Sequence, residues 1–95
     1  MPTIYIDCEG VKCADDVWQR YIDAANPEGA TVFGRNLDAF WDAIEHGGPG
    51  WPGPAKLVFK HSTELAALQV RRGFSLLDGL RQIADEASQT PIELA

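Results

Sequence analysis

Residues 55 to 60 read Ala-Lys-Leu-Val-Phe-Lys. The run Leu57-Val58-Phe59 is too short for a helix and lacks the alternation of a half-exposed strand. It suits a strand buried on both faces, as in a parallel sheet. Parallel strands cannot be joined by tight turns, so helices must separate them. The rest of the chain supplies them. Thr3-Ile4-Tyr5-Ile6-Asp7 is β-branched and aromatic and reads as the first strand. After a turn at 9–12, Asp15-Asp16 opens a helix with Val17, Trp18, Tyr21, Ile22 and Ala25 apolar, and its acidic first turn suits the helix dipole. Asn26-Pro27-Glu28-Gly29 ends it, and a loop over 26–35 leads to a second helix. Beyond the central strand, Ser62 or Thr63 is expected to cap a helix to about Val70, broken by Arg71-Arg72-Gly73. Another helix is expected over 74–88, with Phe74, Leu76, Leu77, Leu80, Ile83 and Ala84 apolar and Gly79 internal. Pro91-Ile92-Glu93-Leu94 closes the order as a short strand. The expected fold is α/β: a three-stranded parallel sheet with right-handed crossovers and about four helices, one domain over 1–95.

Fourteen acidic residues against eight basic ones give a net charge of −6. Such a chain is repelled by a phosphate backbone, so direct nucleic-acid binding is not expected and a basic partner is. No apolar run approaches the roughly 20 residues that span a bilayer. Met1-Pro2-Thr3 runs straight into a strand with no secretory signal, which points to the cytoplasm. Cys8 and Cys13 are then expected as free thiols. Their C-x4-C spacing, without a second cysteine pair, gives no zinc site. No Gly-x-Gly-x-x-Gly or Walker loop is present, and the glycines of 47–53 alternate with prolines that lack N–H groups. No metal or cofactor is expected.

The second helix carries two faces. Leu37, Phe40, Trp41 and Ile44 recur at i, i+3, i+4 and i+7, the spacing of a buried stripe. Asp38 and Asp42 lie four apart and project together, and Glu45 extends the row. Like charges at that spacing cost a helix a few tenths of a kcal/mol, roughly, and only Arg35 stands nearby to offset them. Asn36 is a good N-cap, and Asp38 in the first turn is partly explained by the dipole. Asp42 and Glu45, toward the negative end, are not; a cationic partner would explain them. Trp41 reads either as core or as a flank offered to that partner. Trp51, in the Gly/Pro loop, reads either as folded inward or as an interface anchor. Val32 is expected exposed, Phe33 buried, and Gly34 to adopt a positive φ or let a partner approach closely.

Catalytic readings are weak. His46 and His61 each read as surface residues. Asp38 and Asp42 would need environments that separate their pKa values to act as acid and base. A helix face cannot wrap a calcium ion in the six or more oxygens, roughly, that it takes. An enzyme is not expected.

The segment Phe33-Gly34-x-Asn36-Leu37-Asp38-Ala39-Phe40-Trp41-Asp42 resembles the core motif of the barstar family, intracellular inhibitors of barnase-type, guanyl-preferring ribonucleases. The order of elements resembles the family along most of the chain. The resemblance implies a loop and second helix that plug a ribonuclease active site, their acids replacing RNA phosphates. By position, Asp42 is the central anchor in the phosphate site, and Asp38 meets basic side chains near the guanine-recognition loop. Gly34 and Asn36 support the loop, Trp41 flanks it, and Glu45 is peripheral. Val32 stands where members often have a tyrosine, Arg35 where an acid often sits, and Gln82 where the late helix often has an acid. Asp85 and Glu86 are expected to face elsewhere. These departures turn attention to ribonucleases or toxin domains other than barnase. The implied complex is a 1:1 heterodimer of a monomeric inhibitor with a basic, extracellular-type enzyme. The alternative is an antitoxin or interaction module that sets the same acidic helix against a basic non-ribonuclease protein.

Overall fold

The computed structural model describes all 95 residues. Three strands, β1 (Thr3–Asp7), β2 (Lys56–Lys60) and β5 (Ile92–Leu94), form a parallel sheet in the order β1-β2-β5. The register sets Ile4 beside Leu57 and Ile92, and Ile6 beside Phe59 and Leu94, on one face. Because the strands follow chain order and crossovers are right-handed, both helical connections fall on that same face. The other face carries Tyr5, Val58 and Glu93 in register. Leu57 and Phe59 pack into the main hydrophobic cluster, and Val58 is buried outside it. Tyr5 beside it is 62% exposed. The central strand is thus buried as its sequence implies, but helices cover only one of its faces.

The three α-helices are α1 (Ala14–Ala25), α2 (Leu37–His46) and α3 (Leu76–Glu86). Each bears a recognisable start or stop. Asp16 accepts the Lys12 N–H at 2.9 Å ahead of α1, and Asn26 ends that helix in a left-handed conformation. Ser75 and Asp78 make a capping box at the start of α3. The helical pattern expected from Phe74 therefore begins two residues later, and Ser75-x-x-Asp78 was the signal for it.

The region after β2 departs further from expectation. Ser62–Ala67 is a 3-10 helix, and Ser62 does not cap it; its hydroxyl donates to the Ala95 carbonyl at 2.9 Å. The chain does not stay helical to Val70. Residues Gln69–Arg71 (β3) pair antiparallel with Phe74–Ser75 (β4) around Arg72-Gly73, where Gly73 takes φ 77°. A glycine turn and local pairing outweigh a short apolar periodicity. With that 3-10 helix the architecture is a three-stranded parallel sheet and about four helices.

The core is aromatic. Trp18 and Tyr21 of α1, Phe40 of α2 and Phe59 of β2 are essentially inaccessible, and Phe33 inserts from the loop before α2. Tyr21, Phe40 and Phe59 meet edge to face at 5.3 and 5.9 Å between centroids. Gly79 has no side chain where Leu37 presses against α3, which lets α2 and α3 approach. Cys8 is buried and Cys13 exposed, both as free thiols. No helix is long and apolar enough to cross a membrane.

Candidate partner-binding face

Asn36 sets the start of α2. Its Oδ1 accepts the Ala39 N–H at 2.7 Å, and its amide donates to the Gly34 carbonyl at 3.3 Å. The left-handed residue in this loop is Arg35, at φ 53°, not Gly34. Gly34 is needed for space instead: a Cβ there would lie 2.9 Å from that of Ala39. The twist at Arg35 sends its guanidinium to α1, where it pairs with Asp15 at 2.7 Å and reaches Gln19 at 3.1 Å. Arg35 therefore does not neutralise the acidic row of α2.

Along α2, Phe40, Ala43 and Ile44 are buried, while Asp38 and Asp42 are exposed one turn apart. Neither aspartate takes part in the Arg35–Asp15 and Lys56–Glu93 ion pairs or in the His61–Asp7 contact. Glu45 is different. Its carboxylate takes the Ser88 N–H at 2.9 Å, the Ser88 hydroxyl and the Gln89 N–H at 3.2 Å. The Ser88 hydroxyl and then its backbone N–H hold this carboxyl below the usual range. Thr90 adds a bond to the Ile44 carbonyl at 3.1 Å. Glu45 thus ties α2 to the chain leading into β5.

Trp41 is half-buried. It packs against the core and meets His46 edge-on at 6.3 Å. It also lines a shallow groove between α2, α3 and the hairpin, with Asp38, Arg71, Gln82 and Glu86. Glu86, expected to face elsewhere, therefore shares a groove with Asp38; α3 lies close enough for one helix to complete the acidic surface of the other. Sequence alone could not set that juxtaposition, because it depends on the packing of Gly79 against Leu37.

Ahead of α2, a 3-10 turn over Ala30–Val32 leaves Val32 68% exposed while Phe33 is buried. The loop after α2 is bound to this one. The Tyr21 hydroxyl donates to the Gly50 carbonyl at 2.7 Å, and the Gly50 N–H donates to Glu28 at 2.8 Å. Gly50 also sits against the Phe33 ring, leaving no room for a side chain. Trp51, one residue on, is 38% exposed. Val32 and Trp51 thus rise from two loops fastened together beside the start and end of α2.

A second polar group gathers at the C-terminal ends of β1 and β2. Asp7, Glu9 and His61 bring ligand atoms within 4.8 Å of one another, and it is the one arrangement offering three ligands to a cation. All three are exposed. Asp7 Oδ1 is already engaged by the Glu9 N–H at 2.9 Å and by His61 Nδ1 at 2.8 Å. Arg20 donates to the carbonyls of Asp7 and Glu9. The sequence hid this group because 54 positions separate Asp7 from His61.

Comparison with known proteins bears on the first of these regions. No curated protein matches the chain. A family model described as Barstar (barnase inhibitor) matches residues 1–95. That family is one of inhibitors rather than enzymes. The match runs from the first strand to the last and takes in the Asn36-capped helix with its two free aspartates; the chain belongs to the barstar family.

Proposed function

We propose that this protein inhibits a barnase-type, guanyl-preferring ribonuclease by setting α2 and its preceding loop into the enzyme's active site. The observation that carries the reading is the pair Asp38 and Asp42: exposed, one turn apart, and outside every ion pair of their own fold. In a cleft evolved to hold RNA phosphates, two such carboxylates meet arginines and lysines already arranged for anions. Asp42 is the central anchor and Asp38 the second. Gly34 and Asn36 keep the loop in shape, and Val32 and Trp41 supply flanking apolar contact. Glu45, engaged with Ser88 and Gln89, acts at the periphery through the position of α2.

The mechanism has two stages. The net charge of −6 draws a basic partner and raises the association rate. The paired charges then lose water together, so each pair holds the complex and slows dissociation. The complex is a 1:1 heterodimer formed in the cytoplasm, where it protects the cell from a ribonuclease it makes or meets. Val32 in place of an aromatic residue and Gln82 in place of an acid favour a target other than barnase itself.

The test is RNA cleavage by barnase and related guanyl-preferring ribonucleases, titrated with this protein and with Asp42→Ala. Stoichiometric inhibition by the parent and its loss in the variant is the expected result. Equal behaviour of the two would overturn the assignment of the site, and no inhibition of any such enzyme would overturn the function.

A further inference from the structure

The carboxylate of Asp42 lies directly over the backbone of Gly48. A methyl group built on Gly48 would overlap Asp42 Oδ2. Gly48 is not among the glycines with positive φ, whereas its neighbours Gly47 and Gly50 are. Its backbone conformation therefore does not demand glycine. What the missing side chain provides is room for the carboxylate.

The floor of that space is held in place. Gly48 N–H donates to the Asp42 carbonyl at 3.2 Å, and Trp51 N–H closes a turn onto Gly48 O at 3.1 Å. The turn is fastened at Gly50 to the Tyr21 hydroxyl and to Glu28. On its flank, a Cβ at Gly29 would lie 3.2 Å from Pro49 Cα. A side chain added at Gly48 stands on a turn anchored to the core and meets the exposed Asp42 carboxylate. The aspartate is what can move.

We propose that Gly48 is a positioning residue: its bare Cα, on a turn fixed by Tyr21 and Glu28, is the seat that sets the direction of the Asp42 carboxylate. A side chain restricted to one direction before association loses less rotational freedom when a partner engages it. Long-range attraction depends on the charge and not on its direction, so the effect belongs to dissociation. The seat is a property of the free protein; its consequence for binding rests on the inhibitor reading above.

Two measurements separate these. The first needs no partner: side-chain three-bond couplings of Asp42 by NMR, in the parent and in Gly48→Ala. One dominant χ1 rotamer in the parent, and a different or averaged one in the variant, is expected. The same rotamer population in both would overturn the proposal. Tyr21→Phe, which removes only the hydroxyl that holds Gly50, is read in the same way if Gly48→Ala does not fold. It should average the Asp42 rotamer, and an unchanged one would again overturn the seat.

The second is a cycle of parent, Gly48→Ala, Asp42→Ala and the double variant against barnase or whichever ribonuclease the parent inhibits. Gly48→Ala should weaken inhibition tenfold or more when Asp42 is present and less than twofold when it is absent, with an unchanged denaturation midpoint. Equal loss in both backgrounds would show a direct contact of the turn and overturn the positioning role. Failure of the parent to inhibit any ribonuclease would count against the inhibitor reading alone, because the couplings still judge the seat.

Discussion

The acids at the strand ends and the acids of α2 are treated oppositely by the fold. Asp7 accepts a backbone N–H and pairs with His61, and Glu64 accepts the Gly10 N–H at 3.0 Å. Away from the strands, Asp16 and Asp78 likewise each hold a backbone N–H at a helix start. On α2, Asp38 and Asp42 join none of the protein's ion pairs, although Arg35 is only three residues from Asp38. Glu45 marks the border: three residues past Asp42 on the same helix, it is engaged by Ser88 and Gln89. A carboxylate that fixes its own chain contributes to stability. One outside such bonds contributes little to stability and leaves its charge unpaired within the fold. Removing each kind should therefore move different observables.

The largest effect expected is on binding. Asp42→Ala should weaken the complex by about 2–5 kcal/mol, the general range for truncating one partner of a buried interfacial charge pair. Barnase complexes helped establish that range, so it is a family magnitude and not one inferred from this chain. Thermal stability should shift by less than about 0.5 kcal/mol. Inhibition assays and denaturation curves of the same preparation check both halves, and an Asp42→Ala variant that unfolds early would break the comparison. Asp38→Ala should follow with a smaller binding loss.

The opposite pattern is expected at Ser75. Its hydroxyl accepts the Asp78 N–H at 3.1 Å, so Ser75→Ala should cost about 1 kcal/mol of stability. It should leave inhibition by the folded protein unchanged, as read by urea denaturation beside the cleavage assay.

Acid should act through the engaged group. Asp7, Asp16, Glu45 and Asp78 are all held below the usual carboxylate range. The leading cause is the Glu9, Lys12 and Ser75 backbone N–H for the three aspartates, and the Ser88 hydroxyl for Glu45. A folded-state pKa below the unfolded one adds stability that is fully present above the unfolded value, near roughly 4. It is lost as pH falls through the folded values. Denaturation midpoints measured from pH 6 down to 2 should fall below about pH 4, and Glu45→Gln should flatten part of that fall. A midpoint that rises with acid would contradict the assignment.

The smallest effect concerns the thiols. Burial, chiefly, pushes the Cys8 thiol up to about 11, and Cys13 is exposed. A thiol reagent at neutral pH should modify one cysteine in the native protein and both after unfolding. Two native modifications would place Cys8 outside the core.

Much of this was legible in the residues. The apolar run Leu57-Val58-Phe59 gave the parallel sheet, because no other short element buries three consecutive side chains. The spacing of Leu37, Phe40 and Ile44 against Asp38 and Asp42 gave the two faces of α2, since helical periodicity is local. Asn36 as its cap was legible for the same reason, and the motif around it carried the family. Phe33 inward and Val32 outward also followed.

Other features required the chain to meet itself. Whether Gln69–Arg71 continued a helix or turned into a hairpin depended on pairing across Arg72-Gly73, which outweighed weak local periodicity. The direction of Arg35 was set by Asp15 and Gln19, twenty and sixteen residues away. The division of the acids was decided the same way. Sequence fixes where a carboxylate lies along a helix, because that is a matter of residues per turn. Only tertiary packing decided that Glu45 would find Ser88 while Asp42 found the open space over Gly48, because hydrogen-bond donors reach only about 3 Å. Which donors come that close depends on how the helices and loops close upon the sheet.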